Sequence, residues 1–267
     1  MRYDDSSYTA LIRRPTVGNG MPGCLPRTTI CGSAEAERMG LVPMLDYPDK
    51  LVQPEDYKEV IRHCHEHKIF AMYHQEASGV LKPGWSQGRS NLCWAYSLTV
   101  ATMDARALEG QPPVRLSPWS LAWLVNWRNQ GYYCDRAIAG ARQRGIASVG
   151  FAPEYELNPR DFKDGWSQDA LNYRPTEWWD TRWLSEESMV QQCLTILATG
   201  RPLYGGYNAL SHAMEPCGLL WDETQRNNVI WIVRNSHDEP EPIEMVGRIG
   251  VPDEVYGPCA TSLVLGV

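Results

Sequence analysis

Residues 85–97 read WSQGRSNLCWAYS, and this stretch decides the fold. Its first half is turn-like, whereas from Cys93 onward apolar residues recur at the alternating three- and four-residue spacings of a helix. The sequence therefore predicts a buried central helix that begins at Cys93 and ends before Gly110. A cysteine at a helix N-terminus faces the positive end of the helix dipole, which stabilises a thiolate. Cys93 is thus a candidate nucleophile.

Gln87 precedes Cys93 by less than two helical turns of sequence. From there its side-chain amide can donate a hydrogen bond close to the nucleophile, where the oxyanion of an acyl transfer develops. The alternative for Cys93 is an inert core position, because free cysteine is often buried. The choice between them depends on whether a base and its orienting group occur elsewhere in the chain.

The stretch QGRSNLCWAYS resembles the active-site signature of the papain-like (C1-type) cysteine peptidases, in which Gln-Gly precedes a Cys-Trp-Ala-Phe/Tyr-Ser helix start. Two downstream segments are also similar to that family: SHA at 211–213 to its His-Ala strand, and WIVRNS at 231–236 to its Trp-x-x-x-Asn-Ser segment. Both follow the cysteine at distances close to the roughly 130 to 150 residues typical of such enzymes.

The resemblance implies a role for each matching residue. Cys93 is the expected nucleophile, His212 its general base, Asn235 the group that orients the imidazole, and Gln87 a donor to the oxyanion. The reaction would pass through an acyl-enzyme on the cysteine, which water then releases.

The family likeness extends over about residues 80–267, since LSPWSLAW and Gly145-Ile146 also match it. It implies an α+β, papain-like two-lobe fold in which a helical lobe is followed by an antiparallel β-barrel-like lobe. We expect four parts: an extended N-terminal arm at 1–50, a helix-strand connecting segment at 51–80, the helical lobe at 81–184 and the β-rich lobe at 185–267.

Periodicity and end signals predict the individual elements. Helices are expected at 54–68, 117–131, 134–144 and 185–200. Strands are expected at 69–77, 201–210, 212–222, 229–235 and 261–267, and a loop at 158–183. Glu215-Pro216 is expected to interrupt the strand after His212, because proline cannot donate to a sheet.

Several positions depart from the family and bear on the substrate. Tyr132 and Tyr133 stand where the family has a Cys-Asn-Gly-Gly stretch that grips an extended peptide. His237 replaces the tryptophan that shields the bond between the asparagine and the histidine. Together with Ser211, these residues form the predicted substrate-binding set. Ser90 replaces a cysteine of the secreted enzymes, so their disulfide cannot form.

Composition limits partners and location. The chain of 267 residues has a formal charge of −7 and a pI near 5.4, which argues against a nucleic-acid partner. No apolar run suits a signal peptide or a membrane span, so we expect a cytoplasmic protein with mostly free thiols and no membrane partner. No cofactor and no metal are expected: the His63, His65, His67 run is interpreted as a solvated helix face, and Cys24 with Cys31 as a chance pair.

Two functions of different classes remain open. The first is a peptidase acting on a peptide or protein substrate. The second is a structural or binding protein of papain-like fold, whose arm at 1–50 contacts a capsid or other structural protein. The whole chain is similar in pattern to papain-like proteins among tailed-phage structural genes, which implies a virion component. An arm that blocks the cleft in cis is a further alternative.

Overall fold

The structure, a computed structural model, describes residues 2–5, 24–27, 33–74, 79–81, 84–128, 130–156, 158–239 and 241–262. Its helices are α1 (Ala34–Arg38), α2 (Tyr57–Glu66), α3 (Cys93–Leu108), α4 (Pro118–Leu124), α5 (Cys134–Arg144), α6 (Trp166–Ala170) and α7 (Glu186–Leu197). Its strands are β1 (Arg2–Tyr3), β2 (Cys24–Leu25), β3 (Leu41–Pro43), β4 (Tyr132–Tyr133), β5 (Pro175–Asp180), β6 (Tyr204–Tyr207), β7 (His212–Trp221), β8 (Val229–Arg234), β9 (Ile243–Met245) and β10 (Glu254–Thr261). Among these elements, no helix is long and apolar enough to cross a membrane.

Helix α3 lies at the centre of the molecule, as its apolar spacing predicts. Every residue from Cys93 to Arg106 is buried, and the helix packs against α4 and α5 on one side and against β7 and β10 on the other. The helix ends before Gly110, whose φ of +69° suits glycine because it has no Cβ.

Eight strands form one sheet in the order β1-β9-β8-β7-β6-β10-β5-β3. The six inner strands pair antiparallel, whereas β1 and β3 add parallel strands at the two edges. A separate parallel pair joins β2 to β4. The sheet therefore combines strands from both ends of the chain.

The apolar side chains form two main cores. One surrounds α3, α4 and α5 and contains Trp94, whereas the other lies between the sheet and helices α2 and α7 and contains Trp231. Cys93 belongs to the first core, and β7 runs beside it. The candidate site lies where the helical part meets the sheet.

Most helix predictions agree with the structure, and three other predictions are wrong. Residues 72–74 are helical and 69–71 form no strand, although a strand was expected at 69–77. The loop expected at 158–183 contains α6 and β5. Strand β7 continues through Pro216, because a register shift between Pro216 and Gly218 accommodates the missing donor.

The N-terminal residues differ in part from an extended arm. Residues 33–50 contain α1 and β3, and Ala36, Met39 and Leu41 are buried in the first core. Most of the residues before Ser33, Cys31 among them, lie outside the described part of the chain. The four-part domain division stays a prediction.

Candidate active site

Cys93 opens α3, and its side chain is almost completely buried, with 1% of its surface exposed. Burial raises the pKa of its thiol to about 12, although hydrogen bonds from the backbone N–H groups of Ala213, Trp94 and Cys93 itself act in the opposite direction. Ala213 directly follows the candidate base, so the sulfur lies beside the start of β7. The resting sulfur is a neutral thiol.

His212 begins β7 and follows Ser211, which has a left-handed backbone with φ +49°. The His212 Nε2 atom lies 2.8 Å from Asn235 Oδ1. An amide oxygen only accepts, so Nε2 carries the proton and the neutral ring leaves Nδ1 as an acceptor. Burial lowers the pKa of His212 to about 4, against the hydrogen bond with Asn235, which raises it. The resting imidazole is therefore neutral as well.

Asn235 lies directly after β8, and a buried ion cluster holds this end of the strand. Arg234 Nη1 lies 3.0 Å from Asp104 of α3 and also contacts Glu215 of β7. All three side chains are buried. The cluster joins the helix that carries the candidate nucleophile to the strands that carry its base and the orienting amide.

Gln87 is tied to both sides of the site. Its Nε2 donates to the Ser90 carbonyl over 2.6 Å, and its Oε1 accepts from Ser236 Oγ, also over 2.6 Å. The backbone N–H of Gln87 donates to the Ser236 carbonyl over 2.7 Å. A side-chain amide has two N–H bonds, so the second remains as a further donor beside the start of α3.

His237 lies against the candidate base. The two imidazole centroids are 4.9 Å apart, with 39° between the ring planes. A β-bridge joins His237 to Ser86, one residue before Gln87. His237 thus helps to bury His212 on the side where the family has tryptophan.

Tyr132 and Tyr133 form β4, and they pair with the chain's own residues Cys24 and Leu25 in parallel register. The Cys24 N–H also donates to the Ser211 carbonyl over 3.1 Å. Residues 24–27, called the strap from here on, therefore contact three of the predicted substrate-binding residues. A peptide that used the same backbone groups would have to displace the strap.

An ion pair anchors the strap. Arg27 Nη2 lies 2.8 Å from both carboxylate oxygens of Asp180, at the end of β5, and its Nη1 donates to the Thr181 carbonyl over 3.1 Å. Asp180 is fully buried, and the charge-assisted contact comes from one guanidinium nitrogen, whereas the second nitrogen binds the neighbouring backbone carbonyl.

A second group of ionisable side chains lies beside the strap. The sulfur atoms of Cys24 and Cys134 are 3.4 Å apart, and a carboxylate oxygen of Glu254 lies within 4.8 Å of both. All three side chains are buried. Thiolate and carboxylate groups in this arrangement are possible metal ligands.

The histidine run of α2 is only partly solvated. His63 and His67 are exposed, as expected. His65 is half-buried instead, because its Nδ1 is 2.8 Å from Tyr73 Oη and its Nε2 is 2.8 Å from the Leu219 carbonyl. It attaches the helix to the sheet.

The sequence left an arm that blocks the cleft in cis as one alternative, but it did not identify the strap residues, the ion cluster or the thiol–carboxylate group. The thiol–carboxylate group joins residues that are distant in sequence: any two of Cys24, Cys134 and Glu254 are separated by more than a hundred residues, and no spacing pattern connects them. A signal existed for the ion cluster alone: three charged residues within otherwise apolar segments require partners when these segments are buried.

The fold is similar to that of several solved papain-like cysteine proteases. Digestive procathepsin L 3 from the larval midgut of Tenebrio molitor matches with TM-score 0.55 and 18% identity, covering 71% of this chain and 68% of that one. Xylellain, a cysteine protease from Xylella fastidiosa, matches with TM-score 0.52 and 18% identity over 70% and 85% of the two chains. Procathepsin B from Trypanosoma congolense matches with TM-score 0.53 and 14% identity over 73% and 77%.

No family model and no curated protein matches the chain. The structural likenesses confirm the predicted α+β, papain-like fold. At these identities they do not establish an activity, since one fold serves many functions.

Proposed function

We propose that this protein is a papain-like cysteine peptidase whose nucleophile is Cys93, with His212 as base, Asn235 as orienting group and Gln87 as oxyanion donor. One observation carries the proposal: His212 Nε2 lies 2.8 Å from Asn235 Oδ1, and the N–H of Ala213, the residue that follows His212, donates to the Cys93 sulfur. This arrangement leaves the basic Nδ1 of the imidazole for the thiol proton.

In the proposed reaction, His212 Nδ1 takes the proton from Cys93, and the thiolate attacks the carbonyl carbon of a peptide bond. The backbone N–H of Cys93 and the second amide N–H of Gln87 donate to the oxyanion. The tetrahedral intermediate collapses to a thioester as His212 returns the proton to the leaving amine. Water, deprotonated by His212, then hydrolyses the thioester and restores the thiol.

We further propose that the described state is latent, because the strap occupies the substrate-binding backbone. Burial holds both Cys93 and His212 neutral, whereas attack requires the thiolate and the imidazolium. Displacing the strap would admit water and peptide to both groups. Hydration favours the charged forms, so the pKa of the thiol would fall and that of the imidazole would rise.

Alkylation of Cys93 tests the proposal. Iodoacetamide should label Cys93 slowly in the wild type at neutral pH, and about tenfold or more faster in Arg27→Ala/Asp180→Asn, which removes both charged groups of the anchor. Adding His212→Ala should abolish the gain. The rate is read by mass spectrometry of the peptide that contains Cys93.

Lys58→Ala/Glu223→Gln is the matched control, because it removes an ion pair whose side chains are both 66% exposed. It should label like the wild type. Equal labelling of the strap-released protein with and without His212 would contradict the peptidase proposal.

The second candidate is a structural protein of papain-like fold, such as a capsid-associated phage component. The observation that favours it is the burial of Cys93 and His212 as neutral groups. None of the three structures named above is a phage protein. This candidate gains support if strap release leaves Cys93 unreactive.

A further inference from the structure

We propose that Cys24, Cys134 and Glu254 form a binding site for a thiophilic divalent metal ion, with Zn²⁺ as the best match. Two thiolates and one carboxylate are ligands that Zn²⁺ accepts in tetrahedral sites. The three ligand atoms already lie within 4.8 Å of one another. Within the described part of the chain three protein ligands converge, which leaves one position of a tetrahedral ion for water.

The sulfur separation favours a metal over a disulfide. Two sulfurs on one tetrahedral Zn²⁺ at about 2.3 Å each are about 3.8 Å apart. A disulfide instead requires a sulfur–sulfur distance of about 2.05 Å. The two thiols are in hydrogen-bond contact at 3.4 Å, so the sulfurs need to move apart only slightly to reach the metal geometry but would have to close much further to form the covalent bond.

Glu254 supplies the independent observation. Its Oε2 accepts from Tyr256 Oη over 3.0 Å, but its Oε1 is buried and has no hydrogen-bond partner among the described residues. A buried carboxylate oxygen without a partner is poorly solvated. A cation beside Oε1 would offset this cost, whereas a disulfide between the two cysteines would leave it unchanged.

The sheet register positions the carboxyl. Glu254 of β10, Gly206 of β6 and Ala213 of β7 stand side by side on neighbouring strands. A Cβ on Gly206 would lie 2.7 Å from Glu254 Oε1, so the glycine provides the space in which the carboxyl reaches the thiols. This row of paired residues ends at Ala213, whose N–H contacts the Cys93 sulfur. The metal site therefore lies beside the candidate nucleophile.

The ligands come from three parts of the molecule. Cys24 belongs to the strap, Cys134 begins α5 directly after Tyr133, and Glu254 begins β10. A bound ion would therefore join the strap to the body across the cleft. This regulatory consequence rests on the proposed function, whereas the metal site itself depends only on the three ligands.

Cobalt titration of the full reduced chain tests the site, because tetrahedral Co²⁺ with thiolate ligands absorbs in the visible and near ultraviolet. The wild type should take up one equivalent and develop a thiolate-to-cobalt charge-transfer band. Cys134→Ser and Glu254→Gln should each weaken binding by about tenfold or more, since each removes a ligand. Cys259→Ser, which changes a thiol outside the cluster, should bind like the wild type.

Thermal unfolding of each variant verifies that it is folded. Absence of the charge-transfer band in the wild type, or unchanged affinity in both ligand variants, overturns the metal site. A Cys24–Cys134 disulfide in protein that binds no Co²⁺ after reduction also overturns it, in favour of a redox pair.

A second measurement tests the link to the cleft. Zn²⁺ should slow alkylation of Cys93 in the wild type by about tenfold, and should have no effect in Cys134→Ser. If the cobalt spectrum is present but Zn²⁺ does not change labelling, the link is wrong and the metal site stands. If the proposed function is wrong, a different result is expected: labelling of the strap-released protein would not depend on His212.

Discussion

At the scale of single residues, burial rather than residue type sets the proton state of the candidate site. Cys93 and His212 are 1% and 3% exposed, and both are held neutral for that reason. The sequence motif predicts which residues react, because cysteine, histidine and asparagine occur in a recognisable order. The motif contains no information on the hydration of these residues, which depends on a strap that is distant from them in the sequence.

His212 should make the protein sensitive to acid. Its pKa is about 4 in the folded state and 6.5 ordinarily, so the unfolded chain binds the proton first as pH falls below 6.5. The contribution of neutral His212 to the free energy of unfolding is complete above pH 6.5 and is lost as the pH falls toward 4. The loss amounts to at most about 3 kcal/mol.

Urea unfolding at pH 7.5 and pH 4.5 measures this loss in the wild type and in His212→Gln. The difference between the two pH values should be smaller in the variant by about 2 to 3 kcal/mol. The matched change at an exposed histidine, His63→Gln, should retain the wild-type difference. An equal pH dependence in all three proteins would disprove the assignment to His212.

At the scale of elements, local signals predicted helices better than strands. A turn that begins at Pro54 leads into α2, whose first turn contains Glu59, and α7 has Ser185 as a cap whose side chain accepts from Ser188 N–H, so each is specified within one segment. β5 was missed because its stability comes from pairing with β3 and β10, which are distant in sequence. The predicted site residues likewise follow from local motifs, whereas the strap contacts do not.

The Arg234 cluster should control how α3, β7 and β8 fit together. Arg234→Met leaves Asp104 and Glu215 buried without their cation, which should cost about 3 to 5 kcal/mol of unfolding free energy. The triple change Asp104→Asn, Glu215→Gln and Arg234→Met replaces all three ionisable groups and should recover part of this loss. Urea unfolding compares the three proteins, and a triple variant less stable than Arg234→Met would contradict the explanation.

At the scale of the whole molecule, the N-terminal residues contact widely separated parts of the fold. β1 pairs with β9 at one edge of the sheet, β3 pairs with β5 at the other, and the strap lies between them at the cleft. The sequence predicted an arm over this region, because its proline and glycine content favours turns. It could not predict β3, a three-residue strand that forms only by pairing with the sheet.

Two truncations should separate the contribution of the strap from that of residues 33–50. Deleting residues 1–32 in an Asp180→Asn background removes β1 and the strap without leaving the Asp180 charge buried, and should leave a folded protein whose Cys93 labels faster. Deleting residues 1–50 also removes the buried side chains of Met39, Leu41 and Met44, each worth about 1.5 to 3 kcal/mol, and should abolish cooperative unfolding. Circular dichroism on heating distinguishes them, and equal melting of both truncations would contradict this division.

The parallel strands at the sheet edges also bear on solubility. An uncovered edge offers unpaired N–H and C=O groups to another chain, which is a common route to aggregation. Because β1 and β3 cover β9 and β5, a change that moves only residues 24–27 leaves both of these inner strands covered. Cutting the chain after β3 would instead let β3 separate and free the edge at β5. An activation step that shifts the strap would therefore yield a monodisperse protein, whereas complete removal of the first fifty residues would favour self-association.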